Sequence, residues 1–122
     1  MNKNLFKAKK LSDGEWVKGS LVKTPFGTFI EWYEDSICNK REVDPLTVCQ
    51  FTGLKDCKGK EIFEHDLIHF VGYKPTAEVF WSEDDYAFMA GSYNEPLYFL
   101  SEVLRIDKIE IIGNKFDKEN KV

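Results

Sequence analysis

The chain is poor in the residues that most often carry chemistry. It has two histidines, His65 and His69, among 122 residues. It has three cysteines, Cys38, Cys49 and Cys57, an odd count with no C-x-x-C pair. That argues against a disulfide framework and a zinc site, and favours reduced, partly buried thiols. There is no G-x-S-x-G, no P-loop and no G-x-G-x-x-G, so nucleophile elbows and phosphate-cradling loops are missing. No apolar run approaches the ~20 residues that span a bilayer. The first residues, Met1 to Lys7, are positively charged but have no apolar stretch behind them, unlike a secretory signal. The expected location is therefore the cytoplasm. Positive charge is also scarce in one region: residues 76–102 contain no Lys or Arg.

What is present is a globular composition. The chain is 43% hydrophobic and 15% aromatic, enough to build a core. Net charge is −4. Residues 1–61 carry 11 Lys+Arg against 9 Asp+Glu, and residues 62–122 carry 6 against 12. An acidic whole argues against broad nucleic-acid binding, which needs phosphates neutralised.

Turn signals recur every 8–12 residues. Residues 1–10 are lysine-rich and are expected to be loosely held unless Leu5 and Phe6 dock as an edge strand. Ser12-Asp13-Gly14 is a turn, and Trp16 to Lys23 reads as a strand. Thr24-Pro25-Phe26-Gly27 turns again, and Thr28 to Tyr33 answers as the hairpin partner. Ile37 to Val43 is a third strand. Asp44-Pro45-Leu46-Thr47-Val48 predicts one helical turn, capped by Asp44 with Pro45 at its first position. Leu67 to Tyr73, the turn Lys74-Pro75-Thr76, and Ala77 to Ser82 form a second hairpin. Tyr86 to Met89 is a further strand. Tyr98 to Leu104 suits either a buried strand or two turns of helix. Ile106 to Ile112 alternates, with Gly113-Asn114 closing it. Residues 115–122 are a polar tail. The expected architecture is mostly β, an antiparallel small barrel or sandwich over residues 11–114 with one or two helical turns. A loose echo of residues 14–23 at 64–73 permits two packed barrel-like halves.

The most informative stretch is Gln50 to Ile68, which reads as strand, turn at Lys58-Gly59, strand, corner, strand. Val43-Asp44-Pro45, Gln50-Phe51-Thr52-Gly53-Leu54-Lys55-Asp56, Lys58-Gly59-Lys60-Glu61-Ile62-Phe63-Glu64 and Asp66-Leu67-Ile68 resemble the YopX family. That family comprises small proteins encoded by bacteriophages and prophages. Leu100-Ser101-Glu102 and Ile109 to Asn114 extend the match. The resemblance implies a mostly-β phage-type protein and no particular activity. This chain departs from the pattern at His65, where the family usually has Gly. The motif residues Asp44, Pro45, Gln50, Thr52, Gly53, Leu54, Asp56, Gly59, Ile62 and Asp66 are of types that build turns and corners.

Three candidate sites compete. Glu61, His65 and His69 would share one face of a helix and could ligate a metal there. The strand composition around them instead sets i and i+4 roughly 13 Å apart. In that case His65 occupies a positive-φ corner suited to glycine, and Asp66 accepts backbone N–H groups to lock it. Glu83-Asp84-Asp85 could hold a cation but reads as a solvated acidic turn. Lys18, Lys23 and Trp32 on the first hairpin have the chemistry of a single-stranded nucleic-acid platform. Nothing in the spacing supports a Cys–His dyad, and no cofactor is implied. The reading these features favour is a non-enzymatic accessory protein. It would act through protein contacts as a homo-oligomer, with nucleic-acid binding as the alternative. Aromatic load and exposed strand edges point the same way.

Overall fold

The computed structural model describes residues 5–92 and 96–117. Contacts divide the chain into two compact units, Met1–Phe51 and Thr52–Val122. The fold is mostly β and antiparallel, in two sheets with one short helix, and neither sheet is closed into a barrel. Among the described residues no helix is long and apolar enough to cross a membrane.

The first unit contains β1 (Phe6–Lys9), β2 (Trp16–Thr24), β3 (Gly27–Glu34), β4 (Ile37–Glu42) and the start of β5 (Cys49–Lys55). Their order is β4-β3-β2-β1-β5. The loosely held N-terminus expected from the lysines is not what forms over residues 6–9. β1 lies between β2 and β5, inside the sheet rather than at its edge. The reason is a period of two. Phe6 and Ala8 face the core, where Ala8 is fully buried, while Lys7 and Lys9 take the other face. Residues 1–4 of that segment lie outside the described residues. Ile30, Val43 and Ala8 form the buried core, with Val17, Leu21 and Trp32 packed against it. Ile30 and Val43, both fully buried, each contribute about 1.5–3 kcal/mol.

The helical turn after β4 forms as the sequence predicts. Pro45–Thr47 is a 3-10 turn whose first N–H groups are served by Asp44, its carboxylate accepting from Leu46 N. Thr47 then turns inward, and its hydroxyl accepts the Lys9 N–H at 2.9 Å. This ties the turn to β1.

β5 continues into the second unit, where β6 (Glu61–Phe63) lies beside it. The other sheet runs β10-β9-β8-β7-β11. It is built from β7 (Asp66–Phe70), β8 (Tyr73–Ser82), β9 (Ala87–Gly91), β10 (Tyr98–Phe99) and β11 (Ile109–Asn114). The stretch that is ambiguous in sequence resolves into β10 followed by α1 (Leu100–Ile106). Leu100 and Val103, three residues apart, both point into the core with Ile62, Ile68, Val79 and Ile109.

The second hairpin differs from its expected form. Its turn is at Val71-Gly72, where Gly72 supplies φ +86, and β8 begins at Tyr73. Pro75 lies inside β8, where the register shifts between Ile68 and Phe70. A proline lacks the N–H a regular ladder needs, and an irregular register accommodates that loss. β11 also shifts register between Ile111 and Gly113. The irregularity leaves Ile112 exposed and turns Asn114 inward, so the strand runs through Gly113-Asn114 instead of closing there.

β2 changes partner along its length. Residues 16–19 pair with β1 and residues 20–24 with β3. The change falls at Gly19, where an added Cβ would run into the carbonyl of Glu31. Backbone, not a movable side chain, occupies that space. Gly19→Ala is expected to cost about 1–3 kcal/mol, read as a lower denaturant midpoint at unchanged slope.

Candidate functional site

The central stretch is held by two buried carboxylates. Asp56 Oδ1 accepts the N–H groups of Lys58 and Lys60 at 2.9 and 2.8 Å, and its Oδ2 accepts Ile111 N at 3.1 Å. The first two bonds shape the turn through Gly59, and the third reaches β11. Cys57 N donates to Ile109 O alongside it. Burial pushes the Asp56 carboxyl up, but the three backbone donors together outweigh it and hold the pKa below the usual carboxylate range. Lys58 and Glu110 add an exposed ion pair at 2.8 Å, which stabilises little.

Asp66 works the corner. Its Oδ2 accepts Phe63 N at 2.8 Å and its Oδ1 accepts the Asn114 amide at 2.9 Å. Asn114 Oδ1 in turn accepts Phe116 N. His65 sits at φ +73, the conformation expected for a position the family fills with glycine. Its ring is not idle: Nδ1 lies 2.8 Å from Glu78 Oε2, and Phe116 meets it edge-on at 5.3 Å. Of the other motif residues, Ile62 is fully buried and Gly53 and Gly59 are at positive φ. Gln50 pairs with Phe6 across β5 and β1. Asn114 matters as much as Asp66, and only its place at the end of the family-like run signals it.

The structure separates the metal candidates. Glu61 is on β6, His65 in the corner and His69 on β7 opposite Glu110. No helix passes through them, so they do not share a face. Among the described residues no group of three His, Cys, Asp or Glu side chains could hold a metal ion. In the acidic turn, Glu83 accepts the Trp81 indole N–H and Asp85 accepts the Ser82 hydroxyl. Those two carboxylates brace the four-residue loop between Ser82 and Ala87.

Lys18, Lys23 and Trp32 do not form one platform. Trp32 packs against the first core, on the face of Ile30 and Leu21, whereas Lys18 projects from the opposite face. The register instead gathers a different basic set. Lys7 lies opposite Lys18, and Lys9 opposite Trp16. The ammonium groups of Lys7 and Lys9 lie 4.5 and 5.3 Å from the Trp16 ring centre.

The second unit carries an open groove of about 390 Å³, lined by Thr52, Leu54, Trp81, Tyr86, Ala87, Phe88, Leu100 and Ser101. Its origin is a mismatch of lengths. Val79 pairs with Ala90 and Trp81 with Phe88 on the core face of β8 and β9. α1 has seven residues, about 10 Å of helix. It seals the Val79–Ala90 end with Leu100 and Val103 and leaves the Trp81–Phe88 end open. Trp81 and Phe88 meet edge-on at 5.0 Å. The lining has no carboxylate, imidazole, thiol or amine. Its Thr52 hydroxyl is already bonded to Ile62 O and Leu54 N. The lining is mainly aromatic and aliphatic, with the hydroxyls of Thr52, Tyr86 and Ser101 among its polar side-chain groups.

The Asp56 geometry sets a pH dependence. Its pKa is depressed in the folded state, so its stabilisation is full above the unfolded value of about 3.9 and is lost as pH falls through the folded value. Asp56→Asn turns one acceptor into a donor facing an N–H. It is expected to cost roughly 1–3 kcal/mol at pH 7 and to weaken the acid-induced loss that sets in below the unfolded value of about 3.9, measured by denaturant titration at each pH.

No curated protein and no solved structure matches the chain. A family model described as YopX protein matches residues 5–120, nearly its whole length. The chain belongs to the YopX family.

Proposed function

We propose that the protein is a non-enzymatic accessory protein of phage or prophage origin, working in the bacterial cytoplasm through protein contacts made by its groove. The observation that carries this is the lining itself: aromatic and aliphatic walls from Leu54, Trp81, Phe88 and Leu100, with no carboxylate, imidazole, thiol or amine among them. Binding pockets of this kind take an apolar anchor from a partner. The surroundings select its flanks. The turn at Glu83-Asp84-Asp85 adjoins Trp81 and Tyr86, and no Lys or Arg occurs between residues 76 and 102. An apolar side chain flanked by lysine or arginine is therefore the favoured occupant.

Ser101 is exposed on α1 and lines the groove, so Ser101→Trp fills it without disturbing the core. In capture experiments from bacterial extract, a protein retained by wild type and by Lys18→Ala, but lost with Ser101→Trp, is the expected result. Identical captures with all three baits would remove the groove from the function.

A second reading, single-stranded nucleic-acid binding, draws support from the β1–β2 face. Lys7 and Lys18 stand directly opposite each other on one face of the sheet, so a phosphate placed there would meet two ammonium groups. Trp16 offers a ring for a base beside them. With three phosphates engaged, log K should fall with log salt at a slope of about −2. Fluorescence anisotropy with an oligothymidylate is expected to show that slope and its loss in a Lys7→Ala/Lys18→Ala variant. Absence of binding at low salt would sink this reading.

A further inference from the structure

We infer that the groove of one copy takes Phe26 of another, so that the protein associates head-to-tail with itself. This rests on the groove being a protein-binding site and names its occupant. The donor is the tip of the β2–β3 hairpin. Thr24 pairs with Gly27, leaving only Pro25 and Phe26 in the loop. The Phe26 side chain is 89% exposed, the most exposed large apolar group among the described residues.

The tip is preorganised. The Thr24 hydroxyl donates to Gly27 O at 3.2 Å and accepts Phe26 N at 3.1 Å. Pro25 fixes its own φ, and Gly27 takes φ +149, a backbone conformation that L side chains rarely adopt. A ring held out on a braced two-residue loop loses little freedom on docking.

Chemistry matches on both sides. Phe26 is an aromatic anchor with Lys23 three residues before it on the same hairpin. The groove offers Leu54, Trp81 and Phe88 as walls, with the Glu83-Asp84-Asp85 turn adjoining Trp81 and Tyr86. The whole second unit carries 14 Asp+Glu against 9 Lys+Arg, and the first unit 7 against 8. Lys23 on the anchor hairpin and the acidic turn of the receptor therefore attract, with the Glu42 carboxylate beside Gly27 opposing part of that attraction. Anchor and receptor are different patches, which makes the contact heterologous. Such contacts propagate into rings or filaments unless one half is removed.

That last property supplies the test. Phe26→Ala lacks the anchor and keeps the groove. Ser101→Trp blocks the groove and keeps the anchor. Purified wild type is expected to grow in mass with concentration in sedimentation velocity. Each variant alone should stay a monomer. An equimolar mixture should stop at a one-to-one dimer, because each copy supplies the half the other lacks. Raising salt should weaken that dimer, and Lys23→Glu should weaken it further. A wild type that is monomeric throughout, or a Phe26→Ala variant that assembles like wild type, overturns the inference. Extract capture keeps the two readings apart. If wild type is monomeric yet Ser101→Trp still loses a captured protein, the groove binds some other partner and self-docking alone fails.

Discussion

The second unit depends on satisfying two carboxylates that burial would otherwise forbid. Asp56 and Asp66 are 6% and 2% exposed. An unpaired buried carboxylate costs several kcal/mol or takes up a proton. Here each is met by N–H donors, Asp56 by the backbone amides of Lys58, Lys60 and Ile111, and Asp66 by the Phe63 backbone amide and the Asn114 side chain among its partners. Charge-assisted bonds of this sort are short, directional and roughly twice as strong as neutral ones. They convert a run of small turns into a fixed frame. Lys58-Gly59, the His65 corner and the start of β7 all take their geometry from it.

The groove follows from that frame at one remove. The frame fixes β5, β6 and β7, and the core of Ile62, Ile68 and Ile109 fills the space they enclose. α1 is short and has no side-chain cap at its N-terminus. Its position is set by burying Leu100 and Val103, not by its own helical stability. An element placed by two anchors covers only what lies under them. The apolar surface beyond, at Trp81 and Phe88, stays open to solvent or to a partner.

Much of this was legible in the sequence where one local rule decides. Asp44-Pro45 announced its own turn because capping and proline geometry need no distant partner. The corner at His65 could be read because a family glycine implies positive φ, and the backbone obeys. Period-two alternation located most strands. The errors came where tertiary context overrides the local signal. Four lysines near the N-terminus suggested a loose segment, yet alternation of Phe6 and Ala8 with Lys7 and Lys9 suffices to place β1 inside a sheet. Lys74-Pro75-Thr76 has turn composition, but Gly72 is the residue whose φ the turn requires. The Lys18–Lys23–Trp32 set failed on parity: Lys18 and Trp32 fall on opposite faces, a fact visible only once the register is known. The groove was not legible at all, because it depends on how far α1 reaches.

The two carboxylates also impose an order on events in time. Their nearby donors, Lys58, Lys60 and Phe63, are within a few residues, but Ile111 is 55 residues from Asp56 and Asn114 is 48 from Asp66. A growing chain meets the local donors at once and must wait for the distant ones. Until β11 has been synthesised, Asp56 lacks the Ile111 N–H and the Asp66 corner lacks the Asn114 amide. Closing loops of that length is slow relative to forming hairpins. The first unit has no such debt to β11, since its Thr47–Lys9 bond and its buried Ala8–Ile30–Val43 cluster lie within residues already made. The chain can therefore fold from its beginning, with the second unit sealed last by the strand that arrives last.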